Sequence, residues 1–156
     1  MDVAVIDAGG ANFGSVCHAL QRLGARPRIV RDAEGLAGAA RVLLPGVGAA
    51  GEGMRRLHAQ GLVAPLRALR VPLLGICLGM QLLFESSEEG AVDDLGLLPG
   101  RVRRLAGGPG LRVPHMGWNT LDPVSASPPK PSIGVCNKIS CPASRARCAC
   151  FSSSAP

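Results

Sequence analysis

Aromatic side chains are scarce in this sequence, which has no tyrosine, one tryptophan and three phenylalanines. Proteins that bind single-stranded nucleic acid stack bases on aromatic rings inside a basic groove. The net charge of +6 does not supply such a groove, because residues 1–122 carry 13 arginines against 11 acidic residues and most of the excess lies in the last 34 residues. We therefore predict no nucleic-acid partner.

Long apolar runs are also missing. Although 47% of the residues are hydrophobic, no stretch reaches the roughly 18 uninterrupted apolar residues that a membrane-spanning helix needs. The N-terminus, Met1-Asp2-Val3, has the character of a strand and not of the charged head of a signal peptide. We predict no membrane partner and a cytoplasmic location.

Paired cysteines with the spacing of a structural metal site are not found. Two of the six cysteines, Cys17 and Cys77, lie in the body of the chain, and the other four lie after residue 122 with spacings that do not give paired C-x-x-C motifs. Free thiols in a reducing compartment are the expected state. The sequence predicts no metal ion and no cofactor.

The chain has two parts that differ in composition, most clearly in their lysine and acidic residues. Residues 1–122 contain no lysine and three serines, whereas residues 123–156 contain two lysines, eight serines, six prolines and no acidic residue. The second composition is poorly suited to a buried core. We predict a partial domain over 1–122 and a low-complexity tail over 123–156, either disordered or produced by a shifted reading frame.

What the body does contain is a repeated order of strand, turn and helix. Apolar runs at 2–8, 28–30, 41–45 and 71–76 read as strands, and helical patterns follow them at 16–23, 33–40, 52–60 with a broken extension at 62–69, and 78–85. This order is typical of right-handed βαβ winding. The sequence predicts an α/β fold with a parallel sheet and flanking helices.

The fourth strand runs into Gly75-Ile76-Cys77-Leu78-Gly79. This is the nucleophile-elbow pattern with cysteine as the nucleophile. A residue held on a sharp strand-to-helix turn is strained, and its neighbours two positions away must lack side chains. The following helix and its free N–H groups would favour the thiolate. The alternative is a buried structural cysteine beside two packing glycines.

Two glycine-rich turns follow earlier strands. The turn at 9–14 is either a permissive βα turn or a phosphate cradle, although its glycines do not follow G-x-G-x-x-G. The turn at 46–51 is either permissive or an oxyanion hole, whose donors must point to where charge develops on an attacked carbonyl. Ligands of parallel sheets collect at the carboxyl ends of the strands. Because the second turn and Cys77 both lie at such ends, we favour a catalytic elbow.

Several motifs together resemble a known family. Pro45-Gly46-Val47-Gly48, the elbow continuing to Met80-Gln81, and the segment PHMGWN at 114–119 are similar to class I glutamine amidotransferases, and within them to the glutaminase subunits of imidazole glycerol phosphate synthase from histidine biosynthesis. The opening Asp7-x-Gly9-x-x-Asn12 agrees. The resemblance covers residues 2 to about 122. It implies a flavodoxin-like, class I amidotransferase-like fold that is truncated here, with a disordered C-terminal tail.

The resemblance also implies roles for individual residues. Cys77 would attack the side-chain amide of the substrate glutamine and release ammonia. The oxyanion and glutamine-binding residues would be Gly46, Val47, Gly48, Leu78, Gln81 and Glu89. The partner would be a cyclase subunit, a (β/α)₈ barrel that forms a heterodimer with this chain and receives the ammonia, and the residues facing it would be Asn12, Trp118 and Asn119. For the segment around Trp118, the alternative is a loop anchored by one buried tryptophan.

One part of the family pattern has no counterpart. The family completes its catalytic triad with a His and a Glu in a later His-Pro-Glu segment, and the only histidine after Cys77 is His115, within PHMGWN. A thiolate without its base lacks a proton donor for ammonia departure and a base for thioester hydrolysis. We expect an impaired glutaminase. The alternatives are an inactive module that binds the cyclase and a flavodoxin-like nucleotide-binding domain.

Overall fold

The computed structural model describes residues 1–104 and, beyond them, only the backbone of three short strands at 122–123, 133–136 and 147–148. Within this described part, no helix has the length and apolar character needed to cross a membrane.

Strands and helices alternate through the first half of the chain, as the sequence predicted. They are β1 (Asp2–Ile6), α1 (Phe13–Arg22), β2 (Arg26–Val30), α2 (Ala33–Leu36), β3 (Arg41–Gly46), α3 (Ala50–Ala59), α4 (Val63–Arg67), β4 (Leu73–Cys77) and α5 (Leu78–Gln81). Six short strands follow, namely β5 (Ser86–Ser87), β6 (Val92–Asp93), β7 (Arg101–Val102), β8 (Asp122–Pro123), β9 (Ile133–Cys136) and β10 (Arg147–Cys148).

The main sheet is parallel throughout, in the order β2-β1-β3-β4-β9. All its strands therefore end at the same edge, where the turn after β1, the turn after β3 and the elbow after β4 meet. The register places Gly46, the last residue of β3, directly beside Cys77, the last residue of β4. This confirms the predicted parallel sheet, and it brings two of the predicted site elements into contact.

The two faces of the sheet are covered unequally. The larger core includes the apolar faces of α2, α3, α4 and α5, with fully buried residues such as Leu44, Leu57 and Leu66. On the other face a smaller cluster of Val3, Val5, Ala25 and Leu43 packs against α1. Leu74 of β4 is 37% exposed, so α1 covers the centre of this face and leaves part of β4 open.

Local sequence chemistry explains where helices begin and end. Helix α1 begins at Phe13 and not at the predicted Val16, because the side chain of Asn12 caps it by accepting a hydrogen bond from the Ser15 N–H at 3.1 Å. Helix α2 ends at Leu36, earlier than predicted. Two residues after the end of α2, Gly38 has a positive φ of 69°, which is incompatible with a continuing right-handed helix.

The region after the elbow differs most from expectation. Helix α5 ends at Gln81 and not at Glu85, so the acidic residues that follow do not lie in the last turn of a helix. They flank β5, the central strand of a small sheet of order β6-β5-β7, in which β5 pairs antiparallel with β6 and parallel with β7. Further along, the sequence pattern predicts two antiparallel strands, over 100–105 and 111–121. The first is reduced to Arg101–Val102, and the second range lies outside the described residues.

Composition predicted that residues 123–156 stand outside the core, with a boundary after 122. Strand β9 falls within this range and adds to β4 in parallel, with Leu73 paired to Ile133 and Ile76 to Cys136. Strands β8 and β10 pair with each other. The boundary itself stays a prediction.

Candidate active site

The elbow has the backbone strain that its sequence pattern predicts. Cys77 lies at φ 56° and ψ −118°, and it is one of two non-glycine residues with positive φ in the described part of the chain. Such a conformation costs about 1–3 kcal/mol, and strain of this kind clusters at functional sites. The Cys77 side chain is exposed and forms no disulfide. The alternative of a buried structural cysteine is therefore wrong.

The two flanking glycines are required by contact with the backbone. A Cβ on Gly75 would lie 2.6 Å from the Cα of Met80 and 2.8 Å from the carbonyl oxygen of Gly79. A Cβ on Gly79 would overlap the carbonyl oxygen of Leu44 in the neighbouring strand. No rotamer change relieves a collision between backbone atoms. The strand-to-helix turn is therefore tight only because both positions lack side chains.

The turn after β3 closes on the same point. Gly46 is buried, and a Cβ there would meet the Gly79 nitrogen and the Leu78 Cβ at 3.2 Å. The next two residues lie beyond the end of β3: the Val47 side chain is 53% exposed, and Gly48 has a positive φ of 98°. Leu78 is buried, and as the first residue of α5 it has an N–H with no partner inside the helix. The turn after β3 and the start of α5 thus both adjoin Cys77.

The turn after β1 lies against this loop. Gly9 and Gly10 both have positive φ, and a Cβ on Gly10 would meet the Val47 Cγ2 at 2.7 Å. The space beside Gly9 is filled by the side chain of Arg56, whose nearest atoms lie 2.6 Å from the position that a Cβ on Gly9 would occupy. Asn12 is exposed and caps α1. This turn therefore packs against the loop at Gly46 and does not form an open cradle.

Gln81 and Glu89 lie on two different elements. Gln81 is the last residue of α5, one helical turn after Cys77, and is partly buried. Glu89 is exposed in the turn between β5 and β6, and its N–H donates a hydrogen bond to the Ser87 Oγ at 3.1 Å. Sequence reasoning missed Ser87, although a serine two residues before a turn residue is a signal for such a local bond.

Glu88 is fixed by two donors. Its carboxylate accepts hydrogen bonds from the Arg101 guanidinium at 2.7 Å and from the Arg104 N–H at 3.0 Å. The hydrogen bond from the Arg104 backbone and that from Arg101 hold the pKa of Glu88 below its usual value. Seven residues here line a cavity of about 230 Å³, namely Ser86, Ser87, Glu88, Ala91, Val92, Asp93 and Arg101.

Asp94 is a second titratable group that the sequence did not reveal. It is 1% exposed, and neither carboxyl oxygen has a hydrogen-bond partner in the described part of the chain. Burial, and to a smaller extent the neighbouring Asp93, raises the pKa of Asp94 to about 6. The Arg67 guanidinium binds the Asp94 backbone carbonyl at 3.1 Å and not its carboxyl group.

The remaining predicted site residues are Trp118 and Asn119, which lie outside the described residues, as does His115. The two described histidines, His18 on α1 and His58 on α3, are exposed and have no hydrogen bond to Cys77. Within residues 1–104 no group of three or more His, Cys, Asp or Glu side chains could hold a metal ion. An exposed cysteine on a strained turn, beside the end of a neighbouring strand, is an arrangement that suits attack on a carbonyl carbon.

Comparisons with known proteins agree with this geometry. Residues 4–136 match the family model described as "Glutamine amidotransferase class-I". The chain is 71% identical over 127 residues to the imidazole glycerol phosphate synthase subunit HisH of Xylella fastidiosa strain Temecula1, covering 81% of this chain. It is also 71% identical over 126 residues to the HisH subunit of Xanthomonas oryzae pv. oryzae, again over 81% of this chain.

A solved structure, described as a crystal structure of glutamine amidotransferase, superposes with a TM-score of 0.58 at 27% identity, over 65% of this chain and 56% of that one. The chain spans 64% of the length of the Xylella relative and 63% of that of the Xanthomonas relative.

Proposed function

Because the chain belongs to the class I glutamine amidotransferase family, whose model it matches over residues 4–136, we propose that it is a glutaminase subunit of an imidazole glycerol phosphate synthase. Its substrate is then glutamine, and the ammonia it releases serves a cyclase partner in histidine biosynthesis. Two HisH relatives at 71% identity support this assignment. One structural observation carries it: Gly46 and Cys77 stand side by side at the carboxyl edge of the sheet.

In this proposal Cys77 begins the reaction. Its thiolate adds to the side-chain carbonyl carbon of glutamine, and the carbonyl electrons move onto the oxygen. The N–H groups of Val47 and Leu78 stabilise that oxyanion, with Gly46 and Gly48 giving the loop its shape. Collapse of the intermediate breaks the carbon–nitrogen bond, and the nitrogen leaves as ammonia after taking up a proton. Water then cleaves the thioester to give glutamate and the free thiol.

Substrate selection is assigned to Gln81 and Glu89. Gln81 lies one turn along α5 from the nucleophile, and Glu89 presents an exposed carboxylate from the turn between β5 and β6. A carboxylate and an amide can together bind the ammonium group of an amino acid. We assign both residues to the glutamine pocket.

The partner surface is assigned from the same family pattern. Asn12, which caps α1 close to the turn that packs on Val47, is proposed to face a (β/α)₈ cyclase barrel together with Trp118 and Asn119. The complex would then be a heterodimer. Co-purification of tagged chain with such a barrel is the expected result, and failure to bind at micromolar concentration would contradict the assignment.

We propose that turnover by this chain alone is impaired. The sequence after Cys77 contains no His-Pro-Glu segment, and His115 is its only histidine. Loss of a catalytic partner typically lowers the rate by orders of magnitude. A diazo-ketone alkylates the thiol with loss of dinitrogen and gives a stable thioether that needs no hydrolysis step, so a covalent adduct is a better test than turnover. A second function fits the same observation, namely a module that binds the cyclase without hydrolysing glutamine.

Mass spectrometry after treatment with a diazo-ketone analogue of glutamine tests the glutaminase proposal. With the cyclase barrel present, we expect one adduct on the peptide containing Cys77 and its suppression by excess glutamine. Cys17, partly buried on α1, is an internal control that should remain unmodified. Absence of an adduct on Cys77, or equal modification of both cysteines, would overturn the proposal.

A further inference from the structure

Glu89 stands at a point where the chain reverses direction. The residues after it pass through two left-handed conformations, Gly90 at φ 89° and Ala91 at φ 49°, before β6 begins. In the described part of the chain, no backbone–backbone hydrogen bond outside the regular elements involves Glu89, Gly90 or Ala91. What holds Glu89 must therefore come from the residues around it.

Ser87 provides that support. It is 4% exposed, lies in the central strand of the small sheet, and pairs with Val92 on one side and Val102 on the other. Its Oγ accepts the Glu89 N–H at 3.1 Å. Within the described part of the chain, this is the only hydrogen bond that Glu89 makes outside the regular ladders. Pairing with two neighbouring strands fixes the position of Ser87, and the hydrogen bond to its Oγ in turn fixes the Glu89 peptide.

The residue between them is fixed independently. The Glu88 N–H donates to the Val102 carbonyl at 3.0 Å, and the Glu88 carboxylate binds Arg101 and the Arg104 N–H. These bonds hold the strand end up to residue 88, but none reaches residue 89. Ser87 is thus the contact that transfers the order of the small sheet to the Glu89 peptide.

We propose that Ser87 is a positioning residue for glutamine binding, because its buried hydroxyl fixes the Glu89 peptide and thereby aims the Glu89 carboxylate at the ammonium group of the substrate. This inference rests on the proposed function. It requires no contact between Ser87 and glutamine. It predicts that loss of the hydroxyl weakens glutamine binding and leaves the reactivity of the nucleophile unchanged.

Glutamine protection of Cys77 against iodoacetamide tests the inference, since it needs neither a complete triad nor a partner. Alkylation of the Cys77 peptide is followed by mass spectrometry at increasing glutamine concentration. For Ser87→Ala we expect apparent glutamine affinity to fall roughly 3- to 10-fold, as for loss of one hydrogen bond. The alkylation rate without glutamine should match that of the wild type, and an unchanged circular dichroism spectrum and urea midpoint would show that the variant is folded.

Three variants separate positioning from general damage. Ser87→Thr keeps the hydroxyl and should restore most of the affinity. Ser86→Ala, in the neighbouring position of β5 whose side chain points to the opposite face, should bind glutamine as the wild type does. Glu89→Gln should weaken binding by itself, and adding Ser87→Ala to it should cause little further loss, because both act through one carboxylate.

The possible failures are distinguishable. If glutamine does not protect the wild type, the proposed function is overturned, and the substrate role of Ser87 falls with it. If glutamine protects the wild type but Ser87→Ala binds it equally well, only the inference on Ser87 is overturned. Full additivity of Ser87→Ala and Glu89→Gln would also overturn it, since Ser87 would then act on binding by a route independent of Glu89.

Discussion

The two sides of the candidate site are built in different ways. The elbow at Cys77 is held by contacts between backbone atoms: Gly75 and Gly79 leave no room for a Cβ, and Gly46 leaves only a tight space. The turn at Glu89 is held by polar side chains, chiefly Ser87 and Glu88. A nucleophile needs a fixed position against its oxyanion donors. A group that recognises substrate can be adjusted by hydrogen bonds, so steric and polar substitutions should affect the two sides differently.

The largest expected effect is on chemistry at the elbow. Cys77→Ser should abolish adduct formation with the diazo-ketone and lower any partner-dependent glutaminase rate by at least about a thousandfold, because the hydroxyl is a far weaker nucleophile without a base. Ammonia release and mass spectrometry measure it. Cys17→Ser is the matched control and should retain wild-type labelling. Residual labelling of Cys77→Ser at the same peptide would contradict the role of the thiol.

The second largest expected effect is that of adding a side chain at Gly79, where the backbone of the elbow contacts the backbone of β3. Gly79→Ala should destabilise the fold by about 3 kcal/mol or prevent folding, since its Cβ overlaps the Leu44 carbonyl oxygen and neither backbone can move freely. Gly14→Ala, in helix α1, meets only the Asn12 Oδ1 at 3.6 Å and should be neutral or slightly stabilising. Urea denaturation compares the two. Equal stability of both variants would show that the tight turn is not needed.

Sequence patterns predicted the elbow well and the turn at Glu89 poorly, and the reason is physical. The glycines around Cys77 act within five residues, and the three βα units before them signal the parallel sheet, so local information is sufficient. The small sheet joins two-residue strands that lie 5 to 15 residues apart, and such strands have no periodicity to detect. The burial of Asp94 likewise depends on packing against distant elements. The start of α1 was available in principle from Asn12, a good capping residue.

A smaller effect on stability is expected from Asp94, the buried residue that directly follows β6. Because burial raises the pKa of Asp94 to about 6 from 3.8, the unfolded chain loses this proton first as pH rises. Ionisation of Asp94 therefore does not lower the free energy of unfolding below about pH 4, where the group is protonated in both states. The loss of stability grows between pH 4 and 6 and is constant at higher pH. Asp94→Asn should be more stable than the wild type by about 2 kcal/mol at pH 7.5.

The difference between the two proteins, obtained from urea denaturation at several pH values, should shrink as pH falls from 6 to 4. Glu34→Gln is the control, because Glu34 is an exposed carboxylate on a different element, α2, and its removal should leave the pH dependence of stability as in the wild type. A difference between Asp94→Asn and wild type that does not vary with pH would show that Asp94 is not buried as a carboxyl group.

The smallest expected effect is local. Glu88→Gln removes the ion pair with Arg101 and weakens the bond to the Arg104 N–H, both at an exposed site, so global stability should hardly change. Amide hydrogen exchange at Arg104 should accelerate, while exchange in β4 should not. In the wild type the protection of the Arg104 amide, relative to its intrinsic exchange rate at each pH, should fall in acid, because the lowered pKa of Glu88 reflects bonds that favour its carboxylate form and are lost on protonation. Unchanged exchange at Arg104 in Glu88→Gln would contradict the role of the Glu88 carboxylate in holding this segment.

The most direct measurement is a crystal structure of the chain carrying the diazo-ketone adduct. The analogue carbon should be bonded to the Cys77 sulfur, with its carbonyl oxygen about 3 Å from the N–H groups of Val47 and Leu78. An adduct oxygen that points away from the turn after β3, with no donor from that turn within hydrogen-bond distance, would contradict a shared site formed by the thiol and the loop at Gly46.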